Sequence, residues 1–483
     1  VRLSLTVSAI SALVVAVACS DSSTSPRTFA LAVRSTSVAP NPNNTLSAIV
    51  YFEAEHADSA SVAYSASTDP GSATPWYRVA NNLGKITVLG LLPNTTYNLV
   101  LRVRGKTTQS DTLQYTTDSV PAYVSNQRLT LSQGTFGPGF TMLATLNSFD
   151  TATAIAYDSI GRVRWYRVFP GFFSTDIKLQ KNGHYTAALS VAGGAQVVPG
   201  QYVEFTPDGN IVKTYNVPVG DPDGHEFYLT GDSISGYTSH MWGYTGARAM
   251  DLSSLSVFGG KTNEEEYGHT LFRLAPNGQP EFAYTTWNYY DVTDWIEPTC
   301  CAPLGDFDHP NVLEFTPDSN YLLSFRNFGA IVKIDRFTGQ KMWQIGGAHA
   351  TFTIQNDPLG FFSGEHNVHF LPNGDLLVYD NGLRHVPQHT RVVEYALDET
   401  RKTATMVWEY EPQPMVFTSF IGSAERLLNG NTLVGFGAAG QVDEIDTENN
   451  LLARASFTTA SNGKASLFYR AYRLPTLYKY QVP

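Results

Sequence analysis

The chain has 483 residues, of which 42% are hydrophobic and 16% charged, and a formal net charge of −11. That length buries a sizeable core, and one large all-β unit can absorb well over half of it. The acidic balance leaves no basic surface to meet phosphates, which argues against a nucleic-acid partner, while a local basic pocket for a small anion stays open. An aromatic fraction of 12%, with 39 Gly and 26 Pro, favours strands and turns over helices.

The first residues read as an export signal. Arg2 precedes an apolar run over 3–18 that is short for spanning a bilayer and ends in Ala16-Val17-Ala18 before Cys19. This ending resembles a bacterial lipobox. It implies a signal peptide over 1–18, a lipidated Cys19 and a polar tether over 19–26, with the protein anchored by lipid and facing the periplasm or cell surface. The alternative is an ordinary signal peptide with an incidental cysteine. The other two cysteines, Cys300 and Cys301, are adjacent. In an exported protein they make either a strained vicinal disulfide or two free thiols.

Residues 27–118 read as a small β-domain. Strand-like runs such as Ala48-Ile49-Val50-Tyr51-Phe52 and Tyr97-Asn98-Leu99-Val100-Leu101 alternate with turn residues. Leu92-Pro93-Asn94-Thr95-Thr96-Tyr97 resembles the loop before a late strand of fibronectin type III domains, where a tyrosine bonds back to backbone in a corner. The segment 119–126, around Pro121, is the expected linker.

From 127 to 483 a repeat sets the expected architecture. One turn reads Tyr157-Asp158-Ser159-Ile160-Gly161 with Trp165 following. It recurs at Phe205–Gly209, at Leu274–Gly278 with Phe282, at Ile334–Gly339 with Trp343, near Tyr395 with Trp408, and at Ile445–Asn450. The spacing of roughly 48 to 70 residues exceeds the ~40–45 of a minimal propeller blade, the excess being loop. Between these turns lie others such as Gln180-Lys181-Asn182-Gly183-His184, Leu371-Pro372-Asn373-Gly374-Asp375 and Leu428-Asn429-Gly430-Asn431. Asn-Gly between apolar runs marks a tight hairpin, and two hairpins per unit make a four-stranded blade. The expected fold class is all-β, a six-bladed β-propeller preceded by a small fibronectin type III/Ig-like β-sandwich. A pair of sandwiches is the alternative.

Equivalent positions of successive blades converge on the axis. Just before the second hairpin of three consecutive units stand His225, His309 and His366, and one strand beyond His309 stands Arg326. Satisfied channel histidines are the plain reading. A Zn or Cu site is a second, with Asp306, Asp308 and Glu365 to offset the repulsion from Arg326. An anion-handling site, with His as nucleophile or general acid and Arg holding charge, is the third.

The stretches Asp306-Phe307-Asp308-His309-Pro310-Asn311, Leu322-Leu323-Ser324-Phe325-Arg326-Asn327, Gly364-Glu365-His366 and Leu376–Gly382 resemble the bacterial arylsulfotransferase family. The turn segment over 334–347 fits as well. The resemblance implies sulfuryl transfer from a phenolic sulfate ester to a phenol, ping-pong through a sulfohistidine, without cofactor or metal. His366 would be the nucleophile. His309 and Arg326 would hold the sulfuryl oxygens, with Asn311 adding a donor, and His225 would assist protonation. In-line geometry and electrostatic clamping suffice for such chemistry. Glu365 departs from the family pattern, since an anion there would raise the imidazole pKa. Ser423 stands near where the family places a hydroxyl. Trp242, Tyr244, Tyr289, Tyr290 and Trp295 are the expected lining for the aryl groups, with a homodimer left open. The competing function is a non-catalytic or metal-binding propeller that recognises ligands through its aromatic loops, and a quinone-dependent dehydrogenase is a third.

Overall fold

The computed structural model describes residues 30–146, 151–191, 198–258, 260–297 and 305–478. The export-signal run, Cys19, the tether and the Cys300–Cys301 pair lie outside them.

Two sheets form the N-terminal unit. One orders Ala32–Pro40, Ser47–Glu55 and Leu83–Leu89; the other contains Asp69–Ala73, Ser59–Ala66, Thr96–Arg104 and Thr108–Thr116, with Tyr77–Arg78 paired to Ser59–Ala66. The strand Thr96–Arg104 shows why they face each other. Its period of two turns Tyr97, Leu99, Leu101 and Val103 into the core, where they meet Val50, Phe52 and Val62. The Tyr97 hydroxyl accepts from the Leu92 backbone N–H at 2.9 Å, the corner expected from the sequence, and donates to Asp69 at 2.7 Å.

Beyond the short helix Ala122–Ser125 come six sheets of four or five strands among the described residues. The expected two-hairpin unit recurs. In the second sheet Ile177–Leu179 turns at Gln180–His184 into Tyr185–Val191, and Val198–Phe205 turns at Thr206–Asn210 into Ile211–Tyr215. The aromatic after the second turn packs between sheets: Trp165 donates its indole N–H to the Pro207 carbonyl at 2.8 Å. The fifth sheet carries an addition not legible in the repeat, a strand Thr353–Gln355 parallel to Thr403–Tyr410.

The innermost strands are Phe468–Leu474, Ile177–Leu179, Pro222–Asp232, Pro310–Phe315, His366–Phe370 and Ser423–Arg426, each starting at one mouth and ending in a turn or loop at the other. They pack in sequence and close a ring, because the two ends of the chain exchange places. Phe468–Leu474, near the C-terminal end, completes the first sheet from inside by pairing with Phe140–Thr145. Gln127–Gly134 completes the last sheet from outside by pairing with Leu451–Thr459. This arrangement is a β-propeller. It leaves each sheet only two short edges, one on the channel and one on the rim. Among the described residues no helix is long and apolar enough to cross a membrane.

The sandwich docks on the first sheet through polar groups. Arg164 reaches Asp69 at 2.8 Å with both side chains buried, and Asn44 donates to the Tyr166 carbonyl at 2.9 Å. A buried pair broken from one side leaves an uncompensated charge. Arg164→Ala is therefore expected to destabilise the sandwich by about 3–5 kcal/mol. Calorimetry should show its unfolding transition shifted down while the propeller transition moves little.

Candidate active site

The histidines sit where the innermost strands begin. His366 opens the strand His366–Phe370, His225 lies near the start of Pro222–Asp232, and His309 directly precedes Pro310–Phe315. The rings of His225 and His309 are 4.8 Å apart. Tyr469, at the start of the innermost strand of the first sheet, lies between the others, 5.9 Å from His225 and 6.5 Å from His366. Register thus becomes proximity. The Arg326 backbone N–H donates to the His309 carbonyl at 3.1 Å, so the cation is one strand away, as its position implied.

His366 is buried and its tautomer is set. Nδ1 donates to Asn381 Oδ1 at 2.7 Å and to the Gly364 carbonyl at 3.0 Å. Asn381 cannot flip, because its amide N–H groups are spent on the carbonyls of Thr418 at 2.8 Å and Ile421 at 3.1 Å. The lone pair of Nε2 therefore points into the site, where it accepts the Ile421 backbone N–H at 3.2 Å. Ile421 has φ of 51°, a left-handed conformation costly for a β-branched residue. Burial first, then the charges of Arg326 and His309, push the His366 pKa well below the ordinary imidazole value. His366 is neutral at neutral pH.

The other histidines are tied to carboxylates. His225 Nδ1 donates to Asp223 at 2.8 and 3.0 Å, and His309 Nδ1 to Asp306 Oδ2 at 2.5 Å. Burial works against the charged form of both. For His225 the Asp223 carboxylate outweighs it and the pKa rises; for His309 burial wins over Asp306 and the pKa falls. Arg326 is fully buried, and burial lowers its pKa to about 10, which leaves it charged. It donates to Asn327 Oδ1 at 2.9 Å.

Glu365 behaves differently from the sequence expectation. Its carboxyl is fully buried, accepts the Ser324 hydroxyl at 2.7 Å, and is pushed by burial to about 8. At neutral pH it is largely protonated, a neutral acid and not the anion expected. It does not raise the His366 pKa, which moves the other way.

Other expectations are redistributed. Asn311 donates to the Glu365 backbone carbonyl at 2.6 Å and so ties two sheets together. Ser423 accepts the Ala471 N–H at 2.9 Å and is likewise a link between strands. Of the five aromatics expected to line the site, Tyr244 comes nearest, its ring 4.5 Å from that of the buried His269. Trp242, Tyr290 and Trp295 are core residues packed with Phe325 and Phe328. Tyr289 stacks on Tyr284 at 4.4 Å and is half exposed, away from the histidines. Loop aromatics in a β-protein are first of all packing material, and sequence position did not separate the two uses.

The structure adds His269. The repeat did not single it out, because it lies on Glu264–Leu274, the third strand of its sheet, instead of on an innermost one. It is fully buried against Asp308 and stands 3.4 Å from Asp223. His269, Asp306 and Asp308 offer one atom each within 4.8 Å of one another, a candidate metal set. Their atoms are already engaged as hydrogen-bond partners, His269 Nδ1 on Asp308 and Asp306 Oδ2 on His309. A cavity of about 610 Å³ opens at the opposite mouth, lined by Leu179, Phe370, Leu427 and Leu428. It contains none of the histidines named above; burial shifts the pKa values of His369, Glu314 and Glu425 in its lining as well.

Comparison with known proteins fits this geometry. A family model described as Arylsulfotransferase (ASST) matches residues 298–470, and one described as Arylsulfotransferase Ig-like domain matches 35–119. The chain belongs to the arylsulfotransferase family. The two models take in His309, Arg326 and His366 with the N-terminal sandwich, and membership supports an arylsulfotransferase-like function. No curated protein matches the chain. Among solved structures, a Bacteroides caccae protein of unknown function is 14% identical, with 69% of this chain and 98% of that one covered and a TM-score of 0.39. A catalytically inactive virginiamycin B lyase from Staphylococcus aureus, solved with quinupristin, is 12% identical over 65% of this chain and 73% of that one, with a TM-score of 0.32. Scores this low carry no argument about the arylsulfotransferase site.

The Glu365 carboxyl gives a stability prediction. An acid whose pKa is higher in the folded than in the unfolded chain contributes stability that is full below its unfolded pKa and is lost as pH rises through the folded value. Between about pH 4.5 and pH 8 the native protein should lose up to roughly 4 kcal/mol through this group. Glu365→Gln lacks that loss. The difference in melting temperature between Glu365→Gln and wild type should widen across this window and level off above it.

Proposed function

We propose that the protein moves a sulfuryl group from a phenolic sulfate ester to a phenol, with His366 carrying it in between. The observation that carries this reading is the state of His366: a buried neutral imidazole with Nδ1 pinned by Asn381, Nε2 unprotonated and held by the Ile421 N–H, and Arg326, His309 and His225 close enough for their charges to act on the ring. A nucleophile for an anionic ester must be uncharged and must sit among cations, and both conditions are met.

In the first half-reaction Nε2 attacks sulfur in line. The N–S bond forms, the aryl O–S bond breaks, and the phenolate leaves. The Ile421 N–H must release Nε2 for this to happen. Nδ1 keeps its proton, so the sulfohistidine is an imidazolium whose positive charge Asn381 Oδ1 accepts by hydrogen bond. Arg326 stabilises charge on the sulfuryl oxygens; His309 joins it only in its protonated form, because the neutral ring spends its one N–H on Asp306. His225, whose pKa Asp223 raises, gives its proton to the departing phenolate. In the second half-reaction His225 takes the proton of the acceptor phenol, the phenolate attacks sulfur, and His366 is restored. Atoms and charge balance without metal or nucleotide, as in other transfers that rest on positioning and electrostatics. Tyr469, whose ring stands 5.9 Å from His225 and 6.5 Å from His366, is the aryl contact in this reading. The lipobox-like leader supports an exported, lipid-anchored protein.

Incubation with an aryl sulfate alone should add one sulfo group to the peptide containing His366, read by mass spectrometry, and release of the phenol should stop after one equivalent. His366→Ala should lower transfer by about 10³-fold or more, and Arg326→Ala by about 10²–10³-fold. Full transfer by His366→Ala would overturn the reading.

A further inference from the structure

Of the histidines at this mouth, His225 and His309 are paired with Asp223 and Asp306 and face the proposed reacting group. His269 is paired with aspartates as well. Its side chain is fully buried, on the strand Glu264–Leu274 next to the long hairpin partner Gly236–Met250. Nδ1 donates to Asp308, and Nε2 faces Asp223 Oδ2 at 3.4 Å, an ionic contact without hydrogen-bond direction. Asp223 is itself fully buried and also receives the Nδ1–H of His225 at 2.8 and 3.0 Å and the His225 backbone N–H at 2.9 Å. One carboxylate therefore serves two imidazoles, one facing the site and one behind it.

We infer that His269, clamped between Asp308 and Asp223, is a positioning residue that orients the ring of His225 and loosens its hold on its proton through their shared carboxylate. The role of His225 as acid and base rests on the function proposed above; the coupling of the two histidines does not. The charges around the pair are few. His225 faces Asp223, Asp306, His269, His309 and Tyr469. His269 faces Asp308, Asp223 and Asp306, with the rings of Tyr244 and Trp242 at 4.5 and 6.4 Å. Burial alone would strip His269 of its proton. Asp308 and then Asp223 overcome it and hold the pKa well above the ordinary value, so His269 is a fixed imidazolium. A buried cation behind Asp223 does two things. It neutralises part of the carboxylate that His225 leans on, and its charge lowers the proton affinity of His225. Without it, Asp223 would hold the His225 proton too tightly for transfer to a phenolate. The arrangement resembles the way an outer carboxylate tunes a catalytic imidazole, extended by one further ring.

The test uses the whole chain with ¹⁵N-labelled histidines, followed by NMR titration without substrate. This readout needs no transfer activity, so it fails or succeeds independently of the sulfohistidine experiment. His269→Gln removes the cation and should raise the His225 titration midpoint by about 0.5–1 unit. Asp308→Asn, which keeps His269 but removes the anion that holds its proton, should shift His225 in the same direction. It keeps the test alive if His269→Gln does not fold. In both variants the limb of the kcat–pH profile that reports His225 should move up by the same amount, with KM for the aryl sulfate little changed. An unchanged His225 titration in both folded variants would overturn the inference. So would one equivalent of divalent cation retained by the wild type and lost in His269→Gln, since the three side chains would then be ligands.

Discussion

Arg470 ties four sheets together at the axis. From the innermost strand of the first sheet it reaches Glu226 at 2.5 Å and Asp176 at 3.3 Å, and donates to the Asn311 carbonyl at 3.1 Å. Lys178 adds a second cation to Glu226, and Tyr472 adds two hydrogen bonds to Asp176. All of these groups are buried or nearly so. Such charges are tolerable only because each is paired, and removing one partner strands the rest. The network lies between elements that carry the histidines and the cavity at the other mouth, since Lys178 also stacks on Tyr228, which lines that cavity.

At the histidine mouth the same residue type is driven to opposite states. His366 has an amide and a carbonyl for partners and cations for neighbours, and stays neutral. His225 and His269 have carboxylates and hold their protons. The principle is the one by which paired carboxylates in one active site take separate roles. Here imidazoles are split by environment, and Glu365 joins them as an acid kept neutral by burial. Neutral and protonated imidazoles thus stand side by side at one mouth.

The repeat made the ring legible, because turns such as Asn182-Gly183 and Asn373-Gly374 need positive φ wherever they occur, and the hairpins they demand leave little choice of architecture. It also made His225, His309 and His366 legible, since an innermost strand has one end at each mouth. Asn381 was legible in the same way, as the position after a second strand that matches Arg326. His269 was not. It stands on the third strand of the third blade and reaches the site only because the Asp308 loop comes round to meet it. The aromatics were misread for a related reason. Trp242, Tyr290 and Trp295 are close in sequence to the mouth, but their side chains turn into the core.

By itself the sequence determined the all-β class, the small domain ahead of the ring, and the registration of three histidines and an arginine, because these follow from local turn chemistry and a repeating period. Only the tertiary structure decided which histidine keeps its proton, that Glu365 is an acid and not an anion, and that Asp223 serves two rings. Those properties depend on burial and on partners brought from distant sheets, and neither burial nor partnership is a property of a residue's neighbours in the chain.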